Sequence, residues 1–236
     1  MAIEPYVSEA TLRRLPSYLH LLRRYKEEGI EAISCSDIGR ELRLDPTQVR
    51  KDFEVTGCVG RPRIGFAVTS LIDAIETFLG WNNVNEAFLA GAGHLGSALI
   101  GYDRLKDYGV HIVAAFDADP KKIGTEIHGR QVMPIGRLTD LAQRMHVRIG
   151  IITVPGEHAQ AVADAMVAGG IRAIWNFAPV SLQLPKGIIV QNEELYYSLA
   201  ALSRKVADQL RESRATGGFT TDGSDASTAA NAVSQV

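Results

Sequence analysis

Cysteine is scarce in this chain, with Cys35 and Cys58 the only two among 236 residues. Two thiols at that spacing make neither a zinc site nor a disulfide framework, and both are expected to be reduced and buried. Long apolar runs are missing as well. None approaches the roughly 20 residues that a bilayer-crossing helix needs, and the N-terminus has neither the apolar stretch nor the small-residue cleavage site of a secretory signal. A cytoplasmic chain with no membrane partner is the expectation. Net charge is almost absent, formally −2, so any contact with nucleic acid has to come from a local group of basic residues. No internal repeat is visible. What is present is a composition that is 46% hydrophobic, enough for ordinary folded cores in one large domain or two small ones.

The texture changes near Gly80. Before it, short amphipathic helical patterns dominate; after it, apolar β-branched runs alternate with helical ones, as in a parallel sheet with crossover helices. Strands are predicted near 86–90, 110–116, 149–154, 172–176 and 188–191, with helices near 95–107, 137–145 and 157–168 and a closing helix over about 193–212. The domain division predicted is 1–79, 80–192, a C-terminal helix over 193–214, and a tail over 215–236. That tail is Gly, Ser, Thr, Ala and Asp with the single aromatic Phe219, and it is expected to be disordered because it cannot bury enough apolar surface to offset its ordering entropy.

"SCSDIGRELRLDPTQVRKDF", Ser34 to Phe53, carries two short helices separated by a tight turn. The second has a full start signal: Asp45 at the N-cap, Pro46 at the first helical position, and Gln48 placed to reach back as in a capping box. Val49 and Phe53 would face a core with Ile38 and Leu42, which turns Thr47, Arg50, Lys51 and Glu54 outward in the layout of a recognition helix. Asp52 and Glu54 dilute its basic character. The following "GCVGRPRIGF" reads as a β-ribbon with Arg61, Pro62 and Arg63 at its tip, two guanidinium groups suited to a narrow minor groove. These parts predict a winged helix-turn-helix. Lys51, Arg61 and Arg63 would meet phosphates or the minor groove, while Gln48 and Arg50 can reach base edges; Thr47 is a further DNA-binding candidate on the same outward face. Such modules commonly act as dimers on palindromes.

"FLAGAGHLGSALIGY", residues 88 to 102, holds Gly91, Gly93 and Gly96 between an apolar strand and a helical stretch, the context that a GxGxxG motif requires. Gly91 permits the tight turn, Gly93 lets the backbone approach a pyrophosphate, and Gly96 allows close helix-to-strand packing; Ala92, His94 and Leu95 complete the loop. The next strand, "VHIVAAFD", ends in Asp117, placed to accept from adenosine ribose hydroxyls, so NAD(H) is preferred over NADP(H), with Lys121 and Lys122 close by. The fold class predicted is α/β: an N-terminal winged helix-turn-helix followed by a Rossmann-type dinucleotide-binding domain. No catalytic pair accompanies it. His94, His158 and Tyr102 are the only candidates for acid–base work, and after the last strand only one helix and the tail remain, too little for a substrate domain. A small NAD-dependent oxidoreductase and a CoA-type nucleotide-binding module on the same fold stay open as alternatives.

In combination, "QVRKD" (48–52), "GRPRIGF" (60–66), "GAGHLGSAL" (91–99), "FDADPKKIG" (116–124), "IITVP" (151–155) and "NFAPV" (176–180) resemble the Rex family of bacterial redox-sensing transcriptional repressors over roughly residues 10 to 212. The resemblance implies a homodimer with a C-terminal helix swapped between subunits. It implies binding of palindromic operator DNA when NADH is low and release when NADH rises, with no protein substrate. Carried over by position are Arg50 and Lys51 for DNA, Gly91, Gly93, Gly96 and Asp117 for NADH/NAD+, and Tyr102 near the nicotinamide. Thr153, Val154 and Pro155, with Asn176, Phe177, Ala178 and Pro179, would line the same cleft. Members often pair an arginine of the first helix with an aspartate at the start of the swapped helix. His20 and Glu194 stand at those positions here, and Leu195 where an aromatic is common, which gives an expectation of pH-sensitive coupling.

Overall fold

The computed structural model describes residues 7–83, 85–193 and 195–216. The expected tail falls outside them from residue 217 onward. The chain divides into two compact units, one running to Asn192 and one beginning at Glu193.

The first unit opens with helix α1 (Glu9–Glu27), whose N-terminus is capped by the Ser8 hydroxyl accepting from the Thr11 N–H. A short strand β1 (Ala32–Ile33) leads to α2 (Cys35–Leu42). That helix ends at Arg43, whose left-handed backbone (φ 54°) turns the chain toward α3 (Pro46–Glu54). Asp45 caps α3 through its carboxylate, which accepts from the N–H groups of Thr47 (2.7 Å) and Gln48 (3.2 Å). Strand β2 (Phe66–Ala67) pairs antiparallel with β1, and α4 (Val68–Leu79) closes the module. The inward face of α3 is as the spacing predicts: Val49 and Phe53 are fully buried with Ile38. Phe53 lies between the edges of Tyr18 and Phe66, both at 5.2 Å between centroids, a geometry that adds to the roughly 2–3 kcal/mol gained by burying a phenyl side chain.

Asp52 does not dilute the basic character of α3 as the sequence suggests, because it is buried (1% exposed) and faces α1. Its carboxylate accepts from Arg14 Nε (2.6 Å) and Nη2 (2.8 Å), Tyr18 Oη (2.7 Å), Gln48 Nε2 (3.0 Å) and Thr11 Oγ1 (3.1 Å). Burial alone pushes such a carboxyl up; the donors from Arg14, Tyr18, Gln48 and Thr11 outweigh it and hold Asp52 below the usual range. Burial, followed by the hydrogen bond to Asp52, raises the Tyr18 phenol in turn.

The rest of the first unit is a seven-stranded sheet in the order β5-β6-β4-β3-β7-β8-β9. The strands are β3 (Asn85–Ala90), β4 (Val110–Asp117), β5 (Glu126–Ile127), β6 (Arg130–Pro134), β7 (Ile149–Ile152), β8 (Ala173–Asn176) and β9 (Ile189–Asn192). All pairings are parallel except β5 with β6. Crossovers are made by α5 (His94–Ile100), α6 (Leu138–Met145) and α7 (Gly156–Ala168). Separate apolar clusters cover the two faces, Phe88, Phe116 and Ile152 on one and Leu89, Ala115 and Ile151 on the other. The central strands are therefore continuously apolar, as strands buried on both faces must be.

Two expectations need correction. The helix predicted over 95–107 stops at Ile100, where Gly101 caps it, and the chain continues as a 3₁₀ turn over Asp103–Tyr108. Strands β5 and β6 are additional; they are short and partly polar, and form the edge of the sheet. The signal for them was His128-Gly129, both in positive φ (46° and 74°), a two-residue hairpin loop.

The module and the sheet meet where α4 gives way to β3. Trp81 packs edge-on against Tyr108 (4.9 Å), and Arg23 of α1 reaches Glu76 Oε1 (2.8 Å) and the Asp107 carbonyl (3.4 Å). The second unit carries α8 (Leu195–Thr216), against the 193–212 expected, with Tyr196, Tyr197, Leu199, Leu202, Val206 and Leu210 exposed. Among the described residues no helix is long and apolar enough to cross a membrane.

Replacing Asp52 by asparagine leaves the Arg14 guanidinium facing a neutral amide, and urea unfolding at pH 7 is expected to show a loss of about 2–3 kcal/mol. Because the folded carboxyl titrates below the unfolded one, its contribution is complete above the unfolded value and disappears as pH falls through the folded one. The gap between wild type and Asp52→Asn should close on acidification; a constant gap from pH 7 to about 2 would contradict the assignment.

Candidate nucleic-acid interface and nucleotide cleft

Thr47, Arg50 and Lys51 are exposed on α3, and Gln48 is half-buried on its flank. The capping box expected of Gln48 does not form: the side chain runs one turn onward, where Nε2 donates to the Asp52 carboxylate, and this carries Oε1 away from the Asp45 N–H it would have accepted from. The wing is a tight loop with one ladder step, not an extended ribbon. Arg61 and Gly65 exchange both backbone hydrogen bonds (2.7 and 2.9 Å), and Arg63 sits at its tip in positive φ (64°). Gly65 (φ 92°) is required there, since a side chain would strike the Ile33 carbonyl of β1. Arg61 and Arg63 are exposed, and so are two apolar residues that the sequence reading passed over, Val59 (87%) and Ile64 (61%).

Between α3 and the wing lies a cleft of about 900 Å³ lined by Thr47, Arg50, Arg61, Arg63 and the N-terminus of α2. Both cysteines open onto it. They are free thiols; Cys35 is buried as expected and Cys58 only half so, and burial pushes both thiols up.

At the C-terminal end of the sheet the chain turns from β3 into α5 through Gly91, Gly93 and Gly96. Neighbouring strands β4 and β7 leave β3 in opposite directions here, the switch point at which open α/β sheets form a crevice. Gly91 (φ 105°) lies against the Thr153 backbone, where a Cβ would come within 2.7 Å of its carbonyl carbon. A Cβ on Gly96 would collide with the Gly91 carbonyl oxygen. A Cβ on Gly93 would meet nothing within 4 Å, so that glycine keeps open space clear beside the backbone.

Asp117, at the end of β4, accepts from the Ala92 N–H (2.8 Å), the Asp119 N–H (2.9 Å) and Lys122 Nζ (3.0 Å). Burial raises this carboxyl, but the backbone donor Asp119, Lys122 and the Ala92 N–H together hold it below its ordinary range. Two oxygens with about four lone-pair sites carry three bonds, which leaves room for a further hydroxyl donor.

Gly91, Gly93, Asp117, Thr153, Val154 and Pro155 line one cleft of about 920 Å³. Thr153 fixes its floor by donating to the carbonyls of Ala90 (3.1 Å) and Gly91 (2.8 Å). The remaining walls are Phe116, Ala118, Asp119, Lys122, Ile135, Gly136, His158, Ala161, Val162 and Ala165. The stretch Ile135–Gly136 was missed because it is delivered by the unrecognised hairpin. Ala92 is buried behind the loop, while His94 and Leu95 are exposed at the start of α5.

Other expected residues lie elsewhere. Tyr102 is 46% exposed and lines a separate recess of about 30 Å³ with His111, His128 and Arg130. Asn176 is fully buried and spends its side chain on the loop that follows it and on β9: it donates to the carbonyls of Ala178 and Val180 and to Asn192 Oδ1, and accepts from the Ala178 N–H. Phe177 packs against Trp175 (4.7 Å) and Ala178 is buried, while Pro179 is exposed beside the start of α7. His20 is exposed on α1, and its expected partner Glu194 lies outside the described residues. Among the described residues no hydrogen bond orients the imidazole of His94 or His158, and no cluster of His, Cys, Asp and Glu is arranged to hold a metal ion.

Comparison with known proteins agrees with both halves of this arrangement. Residues 6–54 match the family described as "Putative DNA-binding protein N-terminus" and residues 82–180 the family described as "CoA binding domain". The redox-sensing transcriptional repressor Rex of Treponema denticola is 46% identical over 86% of this chain and 96% of its own length. That of Bacteroides thetaiotaomicron is 42% identical over 85% and 91%. Among solved structures, RSP in complex with β-NAD+ and operator DNA is 30% identical, with a TM-score of 0.82 over 91% of this chain and 99% of that one. RSP in complex with β-NADH gives 0.78 over 88% and 98%, also at 30% identity. The chain belongs to the Rex family of redox-sensing transcriptional repressors.

Proposed function

We propose that this chain is a DNA-binding repressor that senses the NADH/NAD+ ratio, holding palindromic operators when NADH is low and leaving them when it rises. The observation that carries the reading is the presence, in one compact unit, of a wing-and-helix face lined by Arg50, Arg61 and Arg63 and a glycine-walled cleft ending in Asp117. Its relative RSP has been crystallised with both kinds of ligand. The chain works in the cytoplasm as a homodimer, with residues 1–79 as the DNA-binding head, 80–192 as the dinucleotide domain and the helix expected over 193–214, observed as α8 (Leu195–Thr216), as the dimerisation element. The exposed apolar residues of α8 suit that last role. The reading assigns it no catalytic role, in keeping with the repressor relatives; among the described residues no hydrogen bond orients the imidazole of His94 or of His158, as a general base requires.

Gly93 gives the backbone its close approach to a pyrophosphate, since no side chain occupies that space. The fourth acceptor site of Asp117 takes a ribose hydroxyl, and Lys122, already paired with that carboxylate, is not free for a ribose phosphate. The bound dinucleotide supplies a nicotinamide ring that differs between its two forms in charge and planarity. The walls of Val154, Pro155, Ala161 and Val162 accept a neutral ring at lower desolvation cost than a cationic one. A hundredfold preference for one dimer shape is worth about 2.7 kcal/mol. Helix-turn-helix dimers need their reading heads about one turn of DNA apart, so a modest rotation of the subunits breaks simultaneous contact with both half-sites.

A CoA-type ligand is the second reading, favoured by the family match over residues 82–180. The Asp117 carboxylate argues against it, because CoA carries a phosphate on the adenosine ribose. Titration of the chain with NADH, followed by displacement with NAD+ and with CoA, separates the two: displacement by CoA alone would reverse the assignment. A mobility-shift assay on a palindromic duplex should show a complex that dissolves as NADH is added and persists with NAD+. Arg50→Ala is expected to weaken the duplex complex by about tenfold or more, at 1.4 kcal/mol per decade, with NADH affinity unchanged. Gly93→Val should do the reverse, abolishing NADH binding while the duplex is held at every NADH concentration.

A further inference from the structure

The Asp52 site determines more than the placement of α3. Gln48 occupies the third position of that helix, and N-terminal residues of a recognition helix are the ones that reach base edges. Its Nε2 lies 3.0 Å from Asp52 Oδ1. Which end of the amide faces Asp52 is dictated by chemistry: a carboxylate that receives two N–H groups from Arg14 and hydroxyls from Tyr18 and Thr11 has no proton to give, so only the NH₂ end can approach it. Of the two amide hydrogens, the one trans to the carbonyl points directly away from Oε1. Pairing through that hydrogen keeps Oε1 as far as the planar amide allows from the negative charge. The opposite edge, Oε1 with the remaining N–H beside it, then faces outward. An acceptor next to a donor is the pattern that matches adenine, whose N6 amino group donates and whose N7 accepts in the major groove.

We infer that Gln48 reads an adenine in each operator half-site, and that Asp52 is the positioning residue that fixes the amide edge doing so. This rests on the DNA-binding reading above and deepens it. A free glutamine turns over and presents either end; one tethered to a buried carboxylate cannot. Asparagine at position 52 can donate to Oε1 as well as accept from Nε2, so it releases the amide to turn.

The test uses the full chain and palindromic duplexes selected by it from a random library, with each base of the half-site then replaced symmetrically. Wild type should prefer adenine at one position by about tenfold, as expected for a bidentate base contact. Gln48→Ala should lose the preference at that position and keep those elsewhere. Gln48→Glu, which has acceptors only, should shift it toward cytosine, whose N4 donates. Asp52→Asn should reduce the adenine preference without creating a new one. Since each preference is a ratio of affinities measured on one preparation, any loss of folded protein in Asp52→Asn cancels. A Gln48→Ala profile matching wild type at every position, or an Asp52→Asn profile with the adenine preference intact, would overturn the assignment. Failure of wild type to select any duplex would instead remove the DNA-binding reading on which it rests.

Discussion

One ionised carboxylate, taken out of water between two helices, organises the DNA-facing half of this chain. Asp52 collects donors from α1 and from its own helix, so the recognition helix is held against α1 by directional charge-assisted bonds as well as by apolar packing. Apolar burial of Val49 and Phe53 brings the helix inward but tolerates rotation about its axis. The four bonds that reach Asp52 from α1 do not. With the helix phase fixed, Thr47, Arg50 and Lys51 face outward together, and the wing, locked at Gly65 against β1, closes the other side of the same cleft.

The nucleotide-facing half depends on a different constraint, the close passage of two backbones. Gly91 and Gly96 have no room for side chains because the turn out of β3 packs directly on Thr153 and on itself. Gly93 has room and leaves it empty. The three glycines of one motif are thus required for different reasons, two by steric exclusion within the protein and one by the space it keeps for something else. Asp117, held ionised by donors from the glycine loop, the following turn and Lys122, ties the loop to the end of β4.

Much of this was legible in the sequence. Val49 and Phe53 four residues apart, Asp45-Pro46 at a helix start, and glycines between an apolar strand and a helix all report local geometry, and the structure has that geometry. What was not legible is long-range. Asp52 reads as a surface charge until Arg14, 38 residues earlier, is brought to it. Asn176 reads as a cleft residue until its side chain is seen to be consumed by the loop that follows. The β5–β6 hairpin was missed because two short, half-polar strands carry little periodicity, although His128-Gly129 announced the turn. Without that hairpin Ile135 and Gly136 cannot be placed on the cleft wall.

The two halves are joined by packed and hydrogen-bonded side chains where α4 gives way to β3. The 3₁₀ turn that follows α5 meets Trp81 through Tyr108 and α1 through the Asp107 carbonyl, which accepts from Arg23. Any change in the course of that turn therefore has to disturb an aromatic pair and a guanidinium contact on the winged module, which ties the geometry of the glycine-loop segment to that of the DNA-facing half.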